Sequence, residues 1–398
     1  MTPTATVERL SPTPVSSDDL ARRAESLIPV LSARAADTEA RRQLPPETMA
    51  DLHRLGLIKY FQPRCYGGFE LEWGTQTKIG RALARGCAST SWIATVVGSH
   101  SAYVARMPPK AQEDVWGENQ DVLISTGAMG RGISVRRVDG GFVVNGRWSF
   151  CSGADHANWA LTRGGPDNEA VSEQLYFLYP KSEFTVEDDW FVTGMRGTGS
   201  KTIVVKDLFV PEHRTLRMAE LMAPNPPGSA VSRSYVASYN FRAFAGTALI
   251  GPILGCAEAA VADYVAEIKA DPVRAADINV QLRLSEAMAE VSTAAMLVES
   301  VIAQAHTAGS RNEVIPREGR IASLRDRTFA ARLCMSAVER IATAQAAAGI
   351  FAETPFQRRY RDLCGMMQQI GVNWDRNMSN CARAELGFKS DIPFFNAD

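Results

Sequence analysis

The feature that most restricts this sequence is a double change of period along the chain. Apolar residues recur every three or four positions at first, alternate in the middle, and return to helical spacing towards the end. Such an order calls for a fold that keeps its helices apart from a sheet-forming centre. Residues 17–120 carry Leu20, Ala24, Leu27, Ile28 and Leu31, then Met49, Leu52, Leu55 and Ile58. Pro45 and Pro46 suit a helix start, and Glu47 suits its positive end. Residues 87–107 are apolar with many small side chains, the composition of a helix buried on most sides.

From 121 to 220 the pattern is that of strands. Alternation on both sides of Asp139-Gly140-Gly141 signals a hairpin, and further apolar runs follow, each bounded by Gly, Pro, Asn or Asp. Five or six strands so spaced predict a compact antiparallel barrel or sandwich. Pro224, Pro226, Pro227 and Gly228 mark a linker. Residues 235–398 then hold four segments of bundle length, 243–270, 275–308, 318–348 and 355–386, rich in strong helix formers. The expected architecture is α+β: a tail over 1–16 read as mobile, an N-terminal helical domain, a central antiparallel β-domain and a C-terminal four-helix bundle.

Composition excludes several partners. The 398 residues include 43 basic and 44 acidic ones, so no positive footprint for nucleic acid exists. No stretch of about 20 uninterrupted apolar residues is present, so no membrane partner is expected. The N-terminus lacks the basic start and apolar core of a signal peptide. Seven scattered cysteines without CxxC spacing indicate neither a disulfide framework nor a metal site. A reduced, cytoplasmic enzyme is the expectation.

Nucleotide-loop, zinc-protease, nucleophile-elbow and dinucleotide fingerprints are all missing. Three segments remain. Residues 148–159 (WSFCSGADHANW) put an aromatic ring, hydroxyls and a glycine at a strand end, as either a platform for a planar ligand or a strand-to-turn transition. Residues 194–200 (GMRGTGS) allow close backbone approach to a ligand, or form a wide turn. His100 shares the apolar helix with Trp92, as a catalyst or as a core histidine. Trp190, Phe191, Tyr235, Tyr239, Phe241, Phe394 and Phe395 are candidate aromatic walls, or ordinary core or subunit-contact side chains.

Taken in order, these segments resemble the acyl-CoA dehydrogenase superfamily, as does PFQRRYRD at 355–362. The resemblance implies that Phe150 lies against a flavin ring and that Ser152 bonds its N5 edge. The dehydrogenases place a carboxylate base after the Arg-Asp pair; the same interval here ends on Ile370, preceded by Gln369, and the nearest acid is Asp375. Neither Gln369 nor Ile370 can accept a proton as a base.

The chain is more similar to the oxygenase components of two-component flavin-dependent monooxygenases, the branch of 4-hydroxyphenylacetate and steroid-phenol hydroxylases. The shared marks are CASTSW ending at Trp92, His100 beyond it, the WxFxSG strand and the GMRGTGS loop. The resemblance implies reduced FMN or FAD delivered by a separate flavin reductase, O2 as co-substrate, no metal, and oxygen transfer to a small aromatic or heteroaromatic substrate through a C4a-hydroperoxyflavin. His100 and Ser152 take the catalytic roles. Trp92, Ser125, Thr126, Phe150, Arg196, Ser200 and Gly349 join Ser152 at the cofactor, and Gln369 joins His100 in the substrate pocket. A homotetramer is implied through the bundle. Gln369 stands where many of these hydroxylases have a histidine, which favours an indole, an amine, a sulfur compound or a polyketide-type aromatic over a phenol handled by two histidines. The alternatives are an acyl-CoA dehydrogenase-type oxidoreductase, or an N- or S-oxygenase on the same scaffold.

Overall fold

Ser16 opens the first helix with a capping box: its hydroxyl accepts from the Asp19 N–H, and the Asp19 carboxylate takes the Ser16 N–H. The structure is a computed structural model describing residues 15–165, 173–244 and 246–392. Among the described residues, seven α-helices form the N-terminal domain: α1 (Ser17–Ser26), α2 (Ile28–Arg41), α3 (Pro46–Arg54), α4 (Thr75–Ala84), α5 (Ala88–Trp92), α6 (Ser101–Val104) and α7 (Pro109–Trp116). Leu20, Leu27, Leu31, Met49, Leu52 and Ile58 all enter one core, as their spacing predicts. The expected buried helix over 87–107 is buried but not continuous. Between α5 and α6 it widens into a π-helical turn, Ile93–Val97, and tightens into a 3₁₀ turn, Gly98–His100. Such bulges re-aim the residues that follow them.

Among the described residues the centre holds eight strands, more than the five or six expected. One sheet runs β1 (Ile124–Gly127), β4 (Trp159–Gly164), β5 (Leu175–Pro180), β8 (Thr215–Arg217). The other runs β2 (Met129–Val138), β3 (Gly141–Cys151), β7 (Lys201–Pro211), β6 (Thr185–Glu187). The hairpin at Asp139 and Gly140 is present, with Val138 opposite Gly141. The antiparallel expectation needs one correction: β1 and β4 run parallel, Ile124 opposite Trp159. The chain crosses to the other sheet for β2 and β3 before returning beside β1, and strand spacing carries no record of such a crossover. Trp148, Phe142, Phe177 and Ile203 fill the space between the sheets.

Two short helices, α8 (Met218–Met222) and α9 (Tyr235–Ser238), span the linker. Arg106 anchors them, its buried guanidinium donating to the carbonyls of Leu221, Ala223, Ala237 and Tyr239. Burial pushes that guanidinium down to about 9. The bundle follows: α10 (Ile250–Lys269), a short α11 (Pro272–Ala275), α12 (Ile278–Arg311), α13 (Arg317–Gln345), α14 (Pro355–Met367) and α15 (Trp374–Glu385). The fourth expected helix is therefore two. The Gln369 side chain accepts the Gly371 N–H, and Asn373 caps α15 by accepting from the Arg376 N–H, so local polar bonds replace a helical turn. Residues Thr247–Lys269 have the length and mean hydropathy (1.4) to cross a bilayer, although Glu258 and Asp263 interrupt them. Their most apolar window is 72% buried inside the protein, which makes them a bundle core.

The segment between β6 and β7 docks on α14. Asp362 accepts the Met195 N–H at 2.6 Å, and a Cβ at Gly194 would collide with the Arg361 carbonyl. Gly194→Ala is expected to lower the urea-unfolding stability by about 2 kcal/mol or more, because backbone has to move. An unchanged unfolding midpoint would show that this seat bears no load.

Candidate active site

Three separate pieces of backbone converge beside β1. The bulged helix brings His100, the end of β3 brings Ser152, and the 194–200 loop brings Thr198 and Ser200. Successive side chains of β1 point to opposite faces. Ser125 therefore donates to the Ser152 carbonyl at 2.9 Å, while Thr126 meets His100 Nε2 at 3.0 Å.

His100 is buried, and its Nδ1 lies 2.7 Å from the Ile124 carbonyl. A carbonyl only accepts, so Nδ1 carries the proton and Nε2 is the lone-pair nitrogen, taking the Thr126 hydroxyl. Burial, partly opposed by the Ile124 bond, pushes the imidazole down to about 4. His100 is thus neutral near pH 7. In this state the ring can accept a proton at Nε2 but has none to donate there.

A second network has a fixed direction. Trp92 Nε1 donates to Ser152 Oγ at 3.2 Å, Ser152 and Ser200 hydroxyls meet at 2.7 Å, Ser200 and Thr198 at 2.7 Å, and Thr198 donates to the Met195 carbonyl at 2.8 Å. An indole can only donate and a carbonyl can only accept, so every hydroxyl proton between them points the same way. Ser152 spends its proton on Ser200 and one lone pair on Trp92. Its remaining lone pair suits an N–H donor.

Phe150 adjoins this network. It has φ +62° and is 61% exposed, an unusual combination for an aromatic residue at a strand end. The ladder between β3 and β7 shifts register between Trp148 and Cys151, which lets the ring turn outward. Trp190 meets it edge-on at 6.0 Å and donates to the Met195 carbonyl. Arg196 opens the tight turn between left-handed Met195 and Gly199, and its buried Nε has no hydrogen-bond partner. An open aromatic face, an acceptor hydroxyl and an orphaned guanidinium nitrogen together fit a planar ring with a donor edge and an anionic or carbonyl-bearing part.

Other expected residues lie apart. Gln369 sits in the break between α14 and α15 and lines a cavity between the end of β4 and the bundle, with no hydrogen bond to the His100 network among the described residues. Gly349 lies in the 3₁₀ segment Ala346–Ile350, where its carbonyl accepts from Gln357 at 2.6 Å. Tyr235, Tyr239 and Phe241 belong to the N-terminal core, Phe191 is stacked under Arg42, and Phe394 and Phe395 lie outside the described residues. Sequence reading missed Thr198, whose hydroxyl completes the relay. It also missed Tyr103, whose ring stands edge-on to His100 at 5.8 Å and to Tyr176 and Phe241 beyond. The i, i+3 relation of His100 and Tyr103 was the available signal.

Residues 24–117 match the family model described as acyl-CoA dehydrogenase, N-terminal domain, and 248–374 the one described as acyl-CoA dehydrogenase, C-terminal domain. The chain is 33% identical to the flavin-dependent monooxygenase oxygenase subunit HsaA of Rhodococcus jostii over 354 residues, covering 86% of this chain and 91% of the relative. It is 29% identical to the FADH(2)-dependent resorcinol hydroxylase oxygenase component of Rhizobium sp. over 392 residues, covering 93% and 94%. Among solved structures, the 3-HSA hydroxylase from Rhodococcus sp. RHA1 superposes with a TM-score of 0.88 at 30% identity, covering 94% of this chain and 98% of that one.

The folded chain prefers neutral His100, so the unfolded chain binds its proton first. Stability present above about pH 6.5 should fall as pH drops towards 4, by about 2 kcal/mol at pH 5. His100→Gln, which can keep both hydrogen bonds, should flatten the curve over that window in urea melts. Parallel curves for the two proteins would refute the buried neutral state.

Proposed function

This chain belongs to the acyl-CoA dehydrogenase-like oxygenase components of two-component flavin-dependent monooxygenases, and we propose that its substrate is a small aromatic or heteroaromatic compound oxygenated beside His100. Reduced flavin comes from a separate reductase. The name of the resorcinol hydroxylase supports FAD, with FMN as the other candidate. The observation that carries the site assignment is the one-way relay from Trp92 through Ser152, Ser200 and Thr198 to the Met195 carbonyl, set beside an open Phe150 ring.

Bound reduced flavin supplies the activation of dioxygen; the protein supplies the surroundings. Phe150 and Trp190 offer aromatic surface. Ser152 has its free lone pair available to the N–H of a reduced flavin, and holding that proton suppresses wasteful release of hydrogen peroxide. Ser125 fixes the Ser152 backbone, and Arg196 has an unused buried donor for the cofactor. Trp92, Ile93 and Val97 wall the region with apolar surface that excludes water. Neutral His100 holds a substrate proton or accepts it at Nε2 once Thr126 releases that nitrogen, and Gln369 is a polar residue of the substrate pocket.

The dehydrogenase alternative lacks its base: the amide of Gln369 and the apolar Ile370 occupy the expected place, and Asp375 is exposed on the first turn of α15. An indole, an amine or a sulfur compound suits a site with one histidine. A homotetramer is supported by the exposed Met288, Met296, Phe329 and Trp374 on the bundle, and Gly349 would face a neighbouring subunit's flavin, next to exposed Ile350 and Phe351. Seven free thiols suit a cytoplasmic setting.

With a generic flavin reductase, NADH and labelled dioxygen, one labelled oxygen atom should enter product from an indole, amine or phenol panel, and none without the reductase. Ser152→Ala should raise peroxide release about tenfold relative to product, and His100→Ala should lower turnover about 100-fold. Coupled turnover that survives both substitutions sinks the site assignment. Light scattering should give four times the chain mass; a monomer would remove the role suggested for Gly349.

A further inference from the structure

A cavity of about 300 Å³ opens between the end of β4, the turn before α10, α12, α13 and the break between α14 and α15. Arg163, Arg242, Arg320, Arg327 and Arg376 line it together with Gln369, and among the described residues no aspartate or glutamate does. Other arginines at the bundle find acids: Arg340 of α13 meets Glu286 and Glu290, and Arg81 of α4 meets Glu258 and Glu299 on the bundle. Among the described residues, no carboxylate lies within ion-pair distance of Arg163, Arg242, Arg327 or Arg376. The acid that acts on Arg376 is Asp391, which is exposed and pairs with Arg383 at 3.7 Å.

Arg327 makes the arrangement costly. It is 8% exposed, its Nε has no hydrogen-bond partner, and burial pushes its guanidinium down to about 10. Gly246, at φ +77°, gives it room, since a Cβ there would lie 3.1 Å from Arg327 Nη2. Arg242 likewise keeps a buried Nε without a partner. Buried guanidinium groups are normally matched by an anion, and forked donors converging on one cavity match the planar oxygens of a carboxylate or the oxygens of a phosphate. The cavity reaches towards the candidate active site through Arg163, which lies two residues along β4 from Leu161, the partner of Thr126, and so leaves the sheet on the face where Thr126 meets His100. The charge of Arg163 acts on Tyr103, the ring that stands against His100.

We propose that this arginine-lined cavity seats an oxyanion carried by the substrate, which makes the substrate an aromatic or heteroaromatic acid or phosphate ester. The substrate assignment rests on the monooxygenase reading, whereas the anion site can be measured without flavin. Gln369 then lies at the anion end of the pocket, which accounts for a neutral amide at a position remote from the His100 network.

Calorimetric titration of the full-length chain, free of flavin and in phosphate-free buffer, tests this with indole-3-acetate, indole-3-acetamide and phenyl phosphate. Indole-3-acetate or phenyl phosphate should bind at least about tenfold more tightly than the amide. Arg242→Gln and Arg327→Gln should each reduce that preference below about threefold, while Arg340→Gln, a paired surface arginine, should leave it intact. Arg327→Lys keeps the charge and should retain part of the preference, which guards against a variant that merely misfolds. The tighter of the two anionic probes decides between carboxylate and phosphate. Equal binding of acid and amide, no binding of either anion, or a preference that survives both glutamine variants overturns the proposal. Labelled-dioxygen turnover judges the monooxygenase reading separately.

Discussion

The docking of the 194–200 loop on α14 holds this structure together where it matters. Asp362 is buried, and burial pushes its carboxyl up to about 6 against the opposing pull of the Met195 N–H it accepts. Glu39 of α2 reaches the same helix and pairs with both Arg358 and Arg361, whose guanidinium also donates to the Thr193 carbonyl. One small patch therefore joins the N-terminal helices, the β-domain and the bundle. The Met195 carbonyl that ends the hydroxyl relay belongs to the residue whose N–H Asp362 holds. Position and polarity of the site thus follow from one buried carboxylate.

Both hydrogen-bond networks of the candidate site depend on irregular backbone. The π and 3₁₀ turns between Trp92 and Ser101 set both rings against β1, so that Trp92 donates to Ser152 and His100 to the Ile124 carbonyl. The left-handed residues Phe150, Met195 and Gly199 do the same work on the β-domain side. Strain and non-helical turns gather where side chains must converge from three elements, and regular helix and ladder account for the rest.

Electrostatics differ sharply between the two halves of the proposed pocket. Around His100 the groups are neutral, and desolvation keeps the imidazole uncharged. In the arginine-lined cavity the lining is cationic, with no acid among the described lining residues to balance it. A substrate with an apolar reactive end and an anionic tail matches both halves. A net charge of -1 for the whole chain conceals that asymmetry.

Periodicity alone determined the order of helices, strands and helices, because side chains at spacing 3.6 or 2 must share a face whatever their partners are. The hairpin at Asp139 and Gly140 was legible for a similarly local reason, and motif resemblance singled out His100, Ser152, Ser200 and Phe150. Tertiary structure decided the rest. The parallel pairing of β1 with β4, the broken last helix, the neutral state of His100 and the direction of the hydroxyl relay all depend on groups far apart in sequence. The five arginines of the cavity come from four separate stretches of chain, 163, 242, 320–327 and 376, so no window of sequence contains them. Long-range burial and donor–acceptor matching are properties of the folded arrangement, and a linear pattern holds only their ingredients.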